Sequence, residues 1–313
     1  MLKKIECVKT DSGITVSGLG EYSLSDTLEC GQCFRYERVA VNTVMKDEYI
    51  VTMKDAVVHV GQNKPGELHF FGISRDDLES GISEFFSLER NLEDIKRDIV
   101  SRTDSEWLKS AAECAGGIAI LKQDEWEMLI SFIISQNNNI PRIRKIIRQI
   151  CAEYGRNLAT ESGFRKCPLS RIDGTPCEEK CKGCGVCYSF PTPRDIVDYP
   201  DGLLPSRPGF RFAYILDAAK KVAAGEIDLG DIREHESYAY TVDTLKKIKG
   251  VGDKVASCVA LFGFANLEAF PIDVWMKRAI DTYFGGDLDY VSLGRYAGVA
   301  QQYIFHYIRN LEN

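Results

Sequence analysis

The chain has 313 residues, 44% of them hydrophobic, which is enough for two domains or one large one with a substantial core. No apolar run is long enough to span a bilayer, and Met1-Leu2-Lys3-Lys4-Ile5-Glu6 lacks the apolar core of a signal peptide, so a soluble, cytoplasmic protein is expected. A net charge of −7 argues against binding a polyanion by overall charge.

Residues up to about Ile73 alternate in short apolar runs broken by Gly13, Gly18, Gly20, Asp26 and Gly61. Ile14-Thr15-Val16, Cys33-Phe34-Arg35-Tyr36, Tyr49–Met53 and Ala56–Val60 read as strands of an antiparallel sheet, the last two forming a hairpin across Lys54-Asp55. From about Asp76 the period becomes helical and stays so. Asp124–Asn138 predicts a helix with Trp126, Leu129, Ile130, Ile133 and Ile134 inward, and Pro141 opens the next one. Residues 162–209, rich in Cys, Gly and Pro, read as loop. Helices follow over Phe210–Ala224, on either side of Gly250-Val251-Gly252, after Asp273, and from Ser292 to about Leu311. The fold class is α+β: an N-terminal antiparallel sheet domain over residues 1–112, then a mainly helical domain over 113–313.

The charge is uneven. Acids crowd the stretch from Asp76 to Glu106, whereas Arg142, Arg144, Lys145, Arg148, Arg156, Arg165, Lys166 and Arg171 meet only Glu153 and Glu161 nearby. Local charge decides what a groove attracts. Of eleven cysteines, Cys7, Cys30, Cys33, Cys114, Cys151 and Cys258 read as reduced thiols in the core. The other five form an insertion at about 165–190. Cys177-x3-Cys181-x2-Cys184-x2-Cys187, with Cys167 nearby, has metal-ligand spacing. Zinc is favoured because C-x2-C pairs in a small loop suit a tetrahedral thiolate site. A [4Fe–4S] cluster is the alternative.

The densest chemical signal is Leu245–Ala256 followed by Pro271-Ile272-Asp273. An amphipathic helix runs into Gly250-Val251-Gly252, and a second apolar helix begins there. Glycines leave backbone N–H groups open to an anion such as a DNA phosphate. Lys254 and Asp273 add an amine nucleophile and a carboxylate. Taken alone, these residues could equally be a helix–helix turn, a solvated lysine and an N-cap aspartate.

The arrangement resembles the helix-hairpin-helix DNA glycosylases, and within them the 8-oxoguanine DNA glycosylase/AP lyases. The resemblance rests on five segments spread over essentially the whole chain, and it implies the following roles. Lys254 attacks the sugar C1′ and Asp273 assists departure of the base. In Cys30-Gly31-Gln32-Cys33-Phe34-Arg35, Gly31 offers its carbonyl to the N7 proton of the oxidised base, although Gly31 by itself could mark a strand bulge. Cys258, Gln301 and Phe305 complete the base pocket: Cys258 and Phe305 pack on its two faces and Gln301 reads the Watson–Crick edge. In Ser131–Arg142, Asn137 and Arg142 surround the orphaned cytosine. Phe210, where the family usually has tyrosine, fills the gap left by the flipped base, and Arg211 reads the cytosine. One departure is Trp275, which stands where the family commonly has a histidine.

The expected activity is therefore bifunctional: removal of 8-oxoguanine from double-stranded DNA by base flipping, then β-elimination through a Schiff base. No cofactor is expected for catalysis, the metal site is structural, and the protein is expected to act as a monomer. The rival readings are a sister glycosylase for oxidised pyrimidines or alkylated bases, and an inert DNA- or metal-binding module.

Overall fold

A computed structural model of the protein describes residues 5–39, 43–158 and 186–311. Six strands, β1 (Glu6–Thr10), β2 (Gly13–Ser17), β3 (Tyr36–Arg38), β4 (Asp47–Met53), β5 (Ala56–Gln62) and β6 (Glu67–Phe71), make one antiparallel sheet in the order β1-β2-β6-β5-β4-β3. Strand alternation puts Tyr49 and Val51 opposite Val60 and Val58, and carries the same face on through Phe70 and Leu68 to Ile14 and Val16. All of these belong to one continuous apolar core that runs into the helices as far as Ile308. On the opposite face Ile50 and Val57 join Val39, Leu158, Val186 and Cys187 in a small second cluster. β4 is consequently buried on both faces through its centre.

The hairpin across Lys54-Asp55 forms as expected. The strand expected over Cys33–Tyr36 does not: β3 begins only at Tyr36. Cys33 and Phe34 are both in the core, and two adjacent strand residues would face opposite sides. Arg35 stays linked to β4 through its carbonyl, which accepts from the Thr52 N–H at 2.9 Å, while its side chain makes a buried ion pair, Nη1 lying 2.7 Å from Glu127 Oε2. The Leu24–Glu29 helix, capped by Ser23, was not foreseen, and neither were β1 and β6.

The helical part begins at Arg75, where Ser74 and Asp77 form a reciprocal cap. Glu125–Ser135 is a helix capped by Asp124, and Ile140–Tyr154 carries Pro141 in its first turn. Arg211–Ala223, Tyr238–Leu245, Asp253–Phe262 and Val274–Tyr283 follow close to the expected places. Two corrections apply here. The stretch read as loop up to 209 contains a helix at Pro193–Asp198, opened by the Thr192–Asp195 capping box, and a 3-10 segment at Pro200–Ser206. The terminal helix starts at Ala297 rather than Ser292, because Gly294 adopts φ 67° and separates it from a 3-10 turn.

Cys30, Cys33, Cys151 and Cys258 are buried thiols as expected, but Cys114 is exposed on an outer helix face and Cys7 is half-buried on the edge strand. Cys167, Cys177, Cys181 and Cys184 lie outside the described residues. Among the described residues no group of three or more metal-ligating side chains forms, and no helix is long and apolar enough to cross a membrane.

Candidate active site

The hairpin is shaped by two helices and one packing contact. Tyr238–Leu245 is capped by Ser237, and the chain turns through Lys246–Ile248. Gly250 adopts φ +79°, and a Cβ there would fall 2.3 Å from Tyr214 Cδ2, so only glycine lets the turn close on that ring. Val251 is buried, and its N–H is already donated to the Ile248 carbonyl. Gly250 and Gly252 are the exposed members of the turn. Gly252 is the N-cap of Asp253–Phe262 and brings no capping side chain, so the positive end of that helix is open to an anion.

Lys254 lies in the first turn of this helix. Its Nζ is 3.4 Å from Ser135 Oγ and 5.4 Å from the centroid of the Phe132 ring. Cys258, one turn further on, is buried, and burial pushes its thiol up to about 11. The adjacent Lys254 pulls the other way and the Asp273 carboxylate reinforces the rise. Asp273 is an N-cap after all: its Oδ1 accepts from the Met276 N–H at 2.8 Å. The cap fixes the carboxylate beside the lysine helix, so capping leaves Asp273 placed for the chemical role expected of it.

A cavity of about 970 Å³ opens between these elements. Its lining includes Lys254 and Asp273 together with Gly31, Cys258, Gln301 and Phe305, which come from opposite ends of the chain. The volume lies at the upper end of the range typical of ligand pockets, roughly 300–1,000 Å³. Gly31 adopts φ +90° just beyond the Leu24–Glu29 helix, in a turn rather than a strand bulge. Its neighbour Gln32 is fully buried and holds the turn in place. Nε2 donates to the carbonyls of Thr27 and Ala119, both at 2.8 Å, and Oε1 accepts from the Leu121 N–H at 2.9 Å. Phe305 is flanked by Arg309, whose guanidinium carbon is 5.3 Å from the ring centroid. Trp275 lines the same cavity, half-buried, next to Val274, which is 81% exposed.

The groups assigned to the opposite strand lie along one edge of this site. Phe210 is 51% exposed, unusual for so large an apolar side chain at a helix start. Arg211 is buried. Its Nε donates to the Gln136 carbonyl at 2.9 Å and Nη1 to Pro208 O at 3.2 Å, while Nη2 donates to the carbonyls of both Gln136 and Asn137. Four of its five N–H donors are thus spent on main chain, leaving one on Nη1. Burial, with Arg142 close by, lowers the guanidinium from its ordinary value.

The three asparagines each have a local task. Asn137 takes φ 48°, which asparagine tolerates, Asn138 Nδ2 donates to the Ile134 carbonyl, and Asn139 caps the next helix. The interhelical turn therefore accounts for all three. The side chains of Asn137 and Arg142 stay exposed beside it.

The basic stretch is less free than its sequence suggests. Arg144 and Arg148 both bind Glu37, and Arg156 binds Asp55 at 2.8 Å, so acids of the sheet domain offset part of the charge that looked unopposed. Arg165, Lys166 and Arg171 lie outside the described residues.

Ser135, Phe132, Gln32 and Gln302 were missed as site residues. Phe132 and Ser135 are three apart on one helix and so share the face that meets Lys254, a spacing visible in sequence once that helix is placed beside the hairpin. Gln32 and Gln302 carry no such signal.

The geometry agrees with comparisons to known proteins. Residues 16–129 match the family model described as 8-oxoguanine DNA glycosylase, N-terminal domain. The N-glycosylase/DNA lyase of Saccharomyces cerevisiae is 28% identical over 280 residues, covering 82% of this chain and 67% of that one. The solved structure of MBOgg1 with a low-affinity DNA ligand is 32% identical, covers 99% of this chain and 100% of that one, and superposes with a TM-score of 0.81. The Clostridium acetobutylicum 8-oxoguanine glycosylase/lyase, solved with double-stranded DNA containing cytosine opposite 8-oxoG, is 30% identical over 100% of this chain and 99% of that one, with a TM-score of 0.80. By fold, by sequence over its full length and by its N-terminal domain, this chain belongs to the 8-oxoguanine DNA glycosylase/lyase family.

Proposed function

We propose that Lys254 and Asp273 perform the family reaction in this chain, a bifunctional DNA glycosylase and AP lyase that removes 8-oxoguanine from duplex DNA. The observation that carries the residue assignment is the shared cavity: the lysine, the aspartate and the four base-pocket residues line one space. The base must leave the stack to enter it, at a cost of a few kcal/mol, offset by pocket contacts and by Phe210 filling the gap. The Lys254 amine attacks C1′ as the glycosidic pair departs with the base, and the Asp273 carboxylate stabilises the cationic sugar. Collapse to a Schiff base then allows loss of a C2′ proton and elimination of the 3′ phosphate. Gly250 and Gly252 receive a backbone phosphate. Gly31, Cys258, Gln301 and Phe305 hold the base, and Asn137, Arg142, Phe210 and Arg211 occupy the site it vacates.

No metal enters this chemistry. For the cysteine insertion the reading is a structural zinc at Cys177, Cys181, Cys184 and Cys187, with Cys167 able to replace one of them and a [4Fe–4S] cluster as the alternative. It is supported by ligand spacing alone.

Borohydride trapping on a duplex with 8-oxoguanine opposite cytosine tests the nucleophile. The wild-type protein should give a covalent protein–DNA band and Lys254→Gln none, since an amide nitrogen is not a nucleophile. Undiminished trapping by Lys254→Gln would sink the assignment.

A further inference from the structure

Gln301 and Gln302 stand side by side in the terminal helix, 3% and 4% exposed, and both line the cavity. Gln302 Nε2 donates to Gln301 Oε1 at 2.7 Å. Gln302 Oε1 is buried and has no hydrogen-bond partner in the protein. A buried carbonyl without a partner is costly, and such an atom in a cavity wall marks the place of a donor from a ligand. With the Gln301 oxygen facing Gln302, exchanging the oxygen and nitrogen of the Gln302 amide would set two acceptors against each other, so the contact sets the Gln302 orientation relative to that of Gln301.

The chemistry of an oxidised guanine matches what this pair leaves open. Its Watson–Crick edge carries one acceptor, O6, and two donors, N1–H and the 2-amino group. One glutamine amide has a single oxygen and a single NH2, so it meets at most one acceptor and one donor position squarely. Gln301 already spends one lone pair on Gln302, which leaves its second lone pair for N1–H and its NH2 for O6. The 2-amino group then needs another acceptor, and Gln302 Oε1 is the vacant one.

We propose that Gln302 is a specificity-determining residue that accepts a hydrogen bond from the 2-amino group of the flipped base while holding the Gln301 amide in register. The proposal rests on the reading of this cavity as the base pocket. It makes the enzyme selective for oxidised purines that carry a 2-amino group.

The test compares single-turnover excision of 8-oxoguanine and 8-oxohypoxanthine, which differ only in that group, both opposite cytosine. The wild-type protein should excise 8-oxohypoxanthine about 10-fold more slowly, the loss expected when a buried acceptor goes unpaired. In Gln302→Met, an apolar side chain of similar length, the two rates should converge to within about 2-fold, with a thermal midpoint confirming the fold. Equal wild-type rates overturn the proposal, and that ratio is read without any variant. A wild-type ratio retained in Gln302→Met while both rates fall together also overturns it, since that is what a purely structural residue would do. Failure of the pocket reading looks different: Gly31→Ala would then excise 8-oxoguanine at the wild-type rate.

Discussion

Gly31 and Phe305 meet inside the cavity although nearly the whole chain separates them. A Cβ on Gly31 would lie 3.7 Å from Phe305 Cε1 and 3.6 Å from Ile140 Cδ1. Space for a methyl group exists there, but it is the space beside the ring where a flat base would stack. The φ of +90° is the second constraint, since an L side chain at that angle turns the peptide plane that carries the carbonyl. Gly31→Ala should therefore slow excision of 8-oxoguanine by on the order of 10-fold or more and cost about 1 kcal/mol of stability. Single-turnover rates and a urea midpoint check both, and unchanged excision would remove Gly31 from the pocket.

Asp273 offers a clean separation of charge from capping. Asparagine caps a helix about as well as aspartate, so Asp273→Asn should keep the bond to the Met276 N–H and leave the folding midpoint nearly unchanged. It removes the negative charge that stabilises the sugar cation, so base excision should fall by on the order of 100-fold while damaged-DNA binding persists. Asp273→Ala should lose about 1 kcal/mol of stability besides. If Asp273→Asn excises normally, the carboxylate is a cap and nothing more.

The sequence was readable where function demands a particular chemical group in a particular local setting. Lys254 after Gly250-Val251-Gly252, Asp273 at a helix start and Phe210 before Arg211 all fall where the motifs put them. It was unreadable where the partner comes from a distant segment. Glu37 on β3 and Asp55 in the β4–β5 turn pair with Arg144, Arg148 and Arg156 from about a hundred residues earlier, which no local charge count can see. Arg35 can be buried because Glu127, a helix residue 92 positions further on, pairs with it. The burial of Gln32 and Gln302 among main-chain and amide partners is likewise a property of the assembled core, and a glutamine in sequence carries no mark of it.

Arg211 should show both of its attachments. Arg211→Ala removes donors from the carbonyls of Gln136, Asn137 and Pro208, which loosens the turn that carries Asn137 and should cost about 1–3 kcal/mol of stability. Excision by the wild-type protein should be fastest opposite cytosine, and the variant should lose part of that preference, by an amount on the order of the 1–3 kcal/mol of one good base contact. Rates opposite each of the four bases decide this. Equal wild-type rates opposite C and A would refute the role.

Alkali should destabilise the fold above about pH 9. Burial pushes the thiols of Cys30, Cys33 and Cys151 up from 9.0 to about 12, and that of Cys258 to about 11. Between pH 9 and 11 the unfolded chain gives up these protons while the folded chain keeps them. Their contribution is complete below pH 9 and is lost as pH rises toward the folded values, about 1 kcal/mol per thiol at pH 10. Urea midpoints at pH 8 and pH 10 measure this, and a midpoint that stays flat or rises would contradict it.

The root of the cysteine insertion is fastened to the outer face of the sheet, and this sharpens what metal removal should do. The Val186 carbonyl accepts from Thr52 Oγ1, the Cys187 carbonyl from the Leu158 N–H at 2.8 Å, and the Tyr188 carbonyl from Arg35. Cys187 itself sits buried among Val39, Ile50, Val57, Leu158 and Val186. One bound zinc per chain is expected at Cys177, Cys181, Cys184 and Cys187. Chelation should loosen residues of about 165–190, which carry Arg165, Lys166, Arg171, Lys180 and Lys182, and so weaken DNA affinity. Lys254 and Asp273 are held by other helices, so Schiff-base formation at saturating substrate should change little. Elemental analysis of the purified protein is the first measurement. Iron with acid-labile sulfide would replace zinc by a cluster, and a metal-free protein with full DNA affinity would remove the site.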